Sequence, residues 1–308
     1  MPQRERTYRI VALDGGGIRG ILSSVLLQRL ESRMPGVLEK VDLFAGTSTG
    51  GIIALGLAAG LKPEAFVTLY ANHAAVVFDD SFLDDLRDFG RLIGAKYDLK
   101  NLGRILEGVF GKKRLKDLNA RVVIPSFDLD NEGEKRRPRM WKPKFFHNFP
   151  GPDSDGEELV VDIALRTCAA PTFFPTYQGY IDGGVVANNP SMAALAQAVD
   201  RQTGRQELSG IRLLSLGTGL NPAYIKGDRR DWGLAQWARP LLALMLEGMM
   251  GVADYQCERL LGGRYFRLQP LLLEPIGIDA VDKVSDLMRY ASQVRLAKAI
   301  RWLEHEFR

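Results

Sequence analysis

The chain has 308 residues, 46% hydrophobic and 25% charged, with a formal net charge of +4. That balance excludes a disordered chain and falls short of the basic density a nucleic-acid binder needs, so no nucleic-acid partner is expected, while an anionic lipid surface stays compatible. Two cysteines, Cys168 and Cys257, are too few for a disulfide framework or a zinc cluster and read as buried thiols in a reducing compartment.

The charged opening Met1 to Arg6 runs directly into an apolar segment with no separate hydrophobic region, so no secretory signal and a cytoplasmic location are expected. The longest charge-free stretch, Leu43 to Leu61, has the length of a membrane span. Its glycines and the Thr47-Ser48-Thr49 triplet favour a buried strand, turn and helix instead.

Tyr8 to Leu13 reads as a buried strand ending at Asp14-Gly15-Gly16-Gly17-Ile18-Arg19-Gly20, and Ile18 to Arg33 as a helix stopped by Pro35-Gly36. The glycine loop admits two readings. Gly15, Gly17 and Gly20 match the dinucleotide fingerprint, with Glu39 and Asp42 near the position of a ribose-binding acid. Alternatively the N–H groups of Gly15, Gly16 and Gly17 form a concave anion site suited to the oxyanion of an acyl intermediate.

Val41 to Ala45 is a second apolar run, followed by Gly46-Thr47-Ser48-Thr49-Gly50 and a helical run Gly51 to Leu61. A Gly-x-Ser-x-Gly pentapeptide between strand and helix fits a nucleophile elbow, where a sharp turn holds the serine outward and only small neighbours fit. By itself it also fits a plain glycine-rich helix cap. Strand, glycine loop, helix, strand, elbow and helix together open a parallel α/β sheet.

Pro63 to Phe78 is expected to be helical, and 79–118 to hold short helices with an acidic patch (Asp79, Asp80, Asp84, Asp85) and a basic run (Lys112, Lys113, Arg114, Lys116). Arg121 to Asp128 and Arg139 to Phe146 suggest a hairpin. Lys135, Arg136, Arg137, Arg139, Lys142 and Lys144 cluster there with Trp141 and Phe145, as an exposed hairpin or a membrane-surface patch. Leu159 to Ala170 reads as a helix ended by Pro171-Thr172-Phe173-Phe174-Pro175.

A strand Thr176 to Ile181 then delivers Asp182-Gly183-Gly184, placing a carboxylate at a strand end before a tight turn. Asp182 is either a second catalytic group or a turn aspartate. Asn188-Asn189-Pro190 starts a helix to Val199, Ile211 to Leu216 is another buried strand, and Trp232 to Leu261 is a helix. The apolar stretch Pro240 to Val252 fits core packing, an acyl-pocket lining or a membrane contact. Ser285 to Arg308 reads as one final helix. No internal boundary divides the chain, so one catalytic domain over 1–308 is expected, with a mostly helical part from 221 onward.

Asp14-Gly-Gly-Gly-Ile-Arg19-Gly20, Gly46-Thr-Ser-Thr-Gly50 and Asp182-Gly-Gly184 stand in the order of the oxyanion loop, nucleophile elbow and aspartate motif of the patatin-like phospholipases, a family the chain resembles. Ala169 to Pro175, Asn188-Asn189-Pro190, Leu214 to Gly219 and Lys96-Tyr97-Asp98 extend the resemblance over most of residues 8–220. It implies a three-layer α/β/α fold with a central, mostly parallel sheet, and cofactor-independent, metal-free hydrolysis of phospholipid or other lipid esters. It also implies Ser48 as nucleophile with Asp182 as its base and oxyanion donors from Gly15, Gly16, Gly17 and Thr49, while peripheral contact with a membrane is left open by the charge, the basic hairpin and the Pro240 to Val252 stretch. Arg19 would add electrostatic support or pair with a carboxylate. Some bacterial members are lipases switched on by a partner or a signalling nucleotide, a further alternative. Histidine usage agrees with a dyad: an α/β-hydrolase triad needs a histidine after its acid, and His73 and His147 precede Asp182 while His305 lies between two glutamates.

Overall fold

On β1 (Tyr8–Leu13) successive side chains leave opposite faces of the strand, Ile10 and Ala12 to one side and Val11 and Leu13 to the other, and all four are fully buried. A strand apolar on both faces needs helices above and below it, which is the physical origin of the three layers. The computed structural model describes residues 7–78, 95–132, 138–226 and 231–307, with the main chain alone at 234, 235, 238, 239 and 242. The acidic patch Asp79 to Asp85 and the basic residues Lys135, Arg136 and Arg137 lie outside the described residues.

After β1 come α1 (Gly20–Arg33), β2 (Leu43–Gly46), α2 (Thr49–Ala58), α3 (Pro63–Val77) and α4 (Leu99–Phe110). Then follow β3 (Arg121–Asp128), β4 (Lys142–His147), α5 (Val160–Cys168), β5 (Tyr180–Asp182), α6 (Gly184–Ala187) and α7 (Ser191–Val199). The chain closes with β6 (Ile211–Leu216), α8 (Leu234–Leu261), β7 (Tyr265–Leu268), α9 (Val284–Gln293) and α10 (Ala297–Glu306).

The sheet runs β4-β3-β2-β1-β6-β7, parallel from β3 to β7, with β4 and the short β5 antiparallel to β3. Its larger core holds Val11, Leu13, Phe44, Ile124 and Leu214 with residues of α1, α2, α5 and α9. The smaller holds Ile10, Ala12, Leu43 and Val123 with Leu195 of α7 and Cys257 of α8. Both cysteines are buried free thiols. The expected three-layer α/β/α architecture is therefore present.

One register decides where the site forms. β2 pairs with Arg121 to Val123 of β3, and β5 pairs with Ser126 to Asp128, with Asp182 opposite Ser126. Because β4 occupies the other edge of β3 over that span, β5 continues the line of β2 beyond its carboxyl end. That is where the chain turns through Ser48.

Element ends shift by a few residues, as where β4 starts at Lys142 and not at Arg139, and three elements differ more substantially from expectation. The strand expected over Thr176 to Ile181 is a tight hairpin: Gln178 (φ 49°) and Gly179 (φ 82°) make a primed two-residue turn, closed by Tyr177 and Tyr180 exchanging both backbone hydrogen bonds. Only Tyr180 to Asp182 remain as strand. The final helix is two, α9 and α10. The extended backbone at Val294 (ψ 131°) breaks it, and Arg29 Nη1 donates to the Ala291 and Val294 carbonyls at 2.5 and 2.9 Å. The C-terminal part also contributes β7, a four-residue edge strand too short for a periodic signal.

Candidate active site

Between β2 and α2 the backbone makes its turn at Ser48, whose φ of 53° and ψ of −123° are unusual for a residue with a side chain. Its neighbours leave no room. A Cβ on Gly46 would lie 2.0 Å from the Gly50 carbonyl oxygen, and one on Gly50 would lie 2.3 Å from that of Leu13. Such strain costs about 1–3 kcal/mol and persists only when the surroundings over-determine it. Here Thr47 N–H donates to the Leu13 carbonyl at 3.2 Å and Thr47 Oγ1 to the Ala187 carbonyl at 2.6 Å. Ser48 N–H donates to Thr167 Oγ1 at 3.0 Å, and Thr167 donates onward to the Pro125 carbonyl at 2.6 Å.

Asp182 is buried, its Oδ1 accepting from the Gly184 N–H at 2.7 Å, and it lines the same cleft as Ser48. Burial pushes its pKa from the ordinary 3.8 up to about 6, against the lowering effect of the neighbouring Ser48 and of the Gly184 N–H. Gly183 lets the chain turn against β3, since a Cβ there would sit 2.2 Å from the Pro125 carbonyl oxygen. Sequence reasoning thus named two residues from distant segments that the fold brings to one cleft.

The glycine loop lies against the same turn. A Cβ on Gly15 would stand 3.4 Å from Ser48 Cβ. Among the described residues, the N–H groups of Gly16, Gly17 and Thr49 have no acceptor, and all three residues line the cleft with Ser48. Thr49 also begins α2, so the positive end of that helix faces the same place. Gly15 departs from expectation. Its N–H is donated to the Asn188 carbonyl at 3.0 Å, and its carbonyl accepts from Thr218 Oγ1 at 2.9 Å, so its polar groups serve the scaffold.

Arg19 lines the cleft too, 5% exposed. Nη1 donates to the Gly219 carbonyl at 3.3 Å while Nε has no partner, and among the described residues no carboxylate forms an ion pair with it. Burial lowers its pKa from the usual arginine value, partly offset by Glu247 and Asp14. The carboxylate of the loop, Asp14, is taken instead by Arg267 of β7 through a two-pronged ion pair. Arg267 Nη1 also donates to Ser215 Oγ at 2.7 Å.

The dinucleotide reading of the loop fails on placement. In that fold the ribose-binding acid follows the carboxyl end of the second strand, on the side of the glycine loop. Asp42 precedes β2, at the opposite end of the sheet, where its Oδ2 accepts the Arg9 N–H at 2.8 Å, and Glu39 lies earlier still. On the loop itself, Cβ atoms on Gly16 and Gly17 would meet Thr218 Oγ1 at 2.3 Å and the Ile278 carbonyl oxygen at 2.1 Å. The close approach demanding glycine is made by the protein.

The cleft has an empty volume of about 980 Å³ including its open mouth, and away from Ser48 its walls are apolar, with Ile52, Val77, Phe78, Phe173, Phe174 and Leu246. The Pro240 to Val252 stretch divides its duties. Leu246 lines the cleft, Met250 is buried, and Leu241, Leu244 and Met245 are exposed. His73 reaches the cleft wall but makes no hydrogen bond to Ser48 or Asp182. His147 is buried against Asp153, and His305 is exposed on α10 beside Glu306. In the basic hairpin, Arg139 pairs with Asp130 and Lys144 with Asp155, while Trp141 is exposed. Among the described residues no cluster of metal-ligating side chains occurs, and no helix is long and apolar enough to cross a membrane.

Thr167, Asn188, Thr218 and Arg267 complete the surroundings of the site. Asn188 and Thr218 lie in motifs visible in the sequence, whereas Thr167 lies inside a helix that gives no hint of it. Arg267 leaves one trace, a charged residue inside the short apolar run Tyr265 to Leu268.

A strained serine between a parallel strand and a helix, a buried carboxylate on the same cleft and a glycine loop beside the serine define a serine hydrolase architecture. The patatin-like phospholipase model matches residues 11–195, and the chain belongs to this family. Protein teg of Priestia megaterium is 31% identical over 97% of this chain and 99% of its own length. The cGAMP-activated phospholipase of Pseudomonas aeruginosa is 28% identical over 93% of this chain and 88% of its own. Among solved structures, VipD from Legionella pneumophila aligns with 93% of this chain and 67% of its own at 11% identity and a TM-score of 0.43.

Proposed function

We propose that the protein hydrolyses carboxylic esters of lipids, phospholipids among them, through an acyl-serine intermediate at Ser48 with Asp182 as general base. The observation carrying this reading is the placement of the strained Ser48 and the buried carboxylate of Asp182 in one cleft, where burial raises the Asp182 pKa to about 6. A carboxylate at its ordinary value is a poor base for an alcohol, and raising its pKa toward neutrality strengthens it while leaving it ionised at pH 7.

Asp182 accepts the Ser48 proton as Oγ attacks the ester carbonyl carbon. The negative charge collecting on the carbonyl oxygen is met by the N–H groups of Gly16, Gly17 and Thr49, each worth about 3 kcal/mol, or on the order of 10²–10³ in rate, when well aimed. Arg19 adds positive potential from the cleft wall. Asp182 returns the proton to the leaving alcohol, then takes one from a water that attacks the acyl-serine, releasing the fatty acid and restoring Ser48. The acyl chain lies along Ile52, Phe78 and Phe174.

The substrate is met at a membrane surface approached from the cytoplasm. Leu241, Leu244 and Met245, exposed on α8 beside the cleft residue Leu246, support that approach. The cGAMP activation named for the Pseudomonas aeruginosa relative makes nucleotide control the second reading, so the assay is run with and without cGAMP. Release of fatty acid by wild type, its loss in Ser48→Ala and Asp182→Asn, and its retention in His305→Ala are expected. Full activity in either of the first two variants removes the assignment.

A further inference from the structure

The unpaired donors at Gly16 and Gly17 belong to a loop that is held from outside by the segment before α9. Ile18 N–H donates to the Ile278 carbonyl at 2.7 Å, and Gly17, at φ 56°, lies so close that a Cβ would stand 2.1 Å from that oxygen. The Ile278 strap is therefore the outer wall of the loop, and it also lines the cleft. Two anchors fix it. Asn221 brackets Ile276, accepting its N–H at 3.0 Å and donating to its carbonyl at 3.3 Å. On the other side of Ile278, Asp279 Oδ2 accepts from Lys96 Nζ at 2.5 Å and from the Tyr97 hydroxyl at 2.9 Å.

Lys96 and Tyr97 are themselves tied to the acyl wall. Their N–H groups donate to the Thr172 and Phe173 carbonyls at 3.1 and 2.7 Å, and the Tyr97 ring packs against Phe78 and Phe174. Asp279 thus joins the wall that would hold the acyl chain to the strap that holds the oxyanion loop. Its two partners are adjacent to each other but 183 and 182 residues away from it in the chain, and the ion pair is largely shielded, with side-chain exposures of 28% and 21% for Lys96 and Asp279.

We propose that Asp279, clasped by Lys96 and Tyr97, is a positioning residue that holds Ile278 against Gly17 and thereby sets the direction of the Gly16 and Gly17 N–H donors. The catalytic consequence rests on the ester-hydrolase reading above. Transition-state donors lose their effect with small misplacement, so loosening the clasp lowers kcat and leaves KM, which reflects the apolar cleft, nearly unchanged.

The test compares wild type, Asp279→Asn, Lys96→Met and Asp279→Glu by melting temperature, by nitrophenyl ester kinetics, and by amide hydrogen exchange of the Gly15 to Gly20 peptide. Asp279→Asn and Lys96→Met should each exchange the Ile18 amide about tenfold faster and lower kcat about tenfold with KM within about twofold, while Asp279→Glu recovers part of both. Unchanged exchange at Ile18 overturns the clasp, as does faster exchange with unchanged kcat. If Asp279→Asn does not fold, Lys96→Met breaks the same ion pair from the other partner. Wild-type protein without esterase activity counts against the hydrolase reading, and the exchange measurement then decides the clasp by itself.

Discussion

Ser48 N–H and Thr167 Oγ1 form a 3.0 Å hydrogen bond, and the Thr167 hydroxyl is spent at the same moment on the Pro125 carbonyl at 2.6 Å. One side chain from α5 thus ties the serine turn to β3, the strand that also carries Asp182 through β5. Thr167→Val keeps the shape but removes both bonds, leaving a buried carbonyl and an N–H unpaired. Urea unfolding should show a loss of about 1–3 kcal/mol, and kcat should fall more than KM rises.

Strain at Ser48 predicts an ordering of inactive variants. Ser48→Ala keeps a Cβ at φ 53°, whereas Ser48→Gly relieves it. The glycine variant should be the more stable of the two by about 1 kcal/mol in urea unfolding. Equal stability would mean that the turn is not strained.

The raised pKa of Asp182 sets a stability dependence with a definite sign. Well below its ordinary value of 3.8 the group is protonated in both folded and unfolded chains. Between its ordinary 3.8 and about 6 the unfolded chain ionises first, so the stability present at low pH is lost as pH rises through the folded value. Asp182→Asn carries no such charge. Relative to wild type it should gain on the order of 1–3 kcal/mol between pH 4 and pH 8, seen in paired melting curves, while losing activity.

Arg267 is the counter-charge of a fully buried carboxylate, Asp14, at the start of the glycine loop. Arg267→Met should cost about 3–5 kcal/mol, because it leaves Asp14 without its partner. The double variant Asp14→Asn with Arg267→Met should recover a large part of that loss in a double-mutant cycle.

The sheet was legible where strands are apolar on both faces, as at Tyr8 to Leu13 and Ile211 to Leu216, whose observed bounds match the expected ones. Ser48 and Asp182 were legible because each sits at a strand end beside glycines, a local pattern that implies a sharp turn. What was not legible depends on long-range contact. The Gly15 N–H is claimed by Asn188, the Asp14 carboxylate by a strand too short to recognise, and the strap over Gly17 by a segment with no motif. Local spacing reveals turns and periodic faces, but not which distant carbonyl consumes a donor.

The most direct test of the account is peptide mapping after reaction with a fluorophosphonate, with the labelling rate followed from pH 4 to pH 9. A single adduct on the peptide carrying Ser48, forming at a rate that rises with pH and titrates near the value of about 6 set by Asp182, is the expected result. An adduct on another residue, or ester hydrolysis that continues with Ser48 fully labelled, would contradict the central claim.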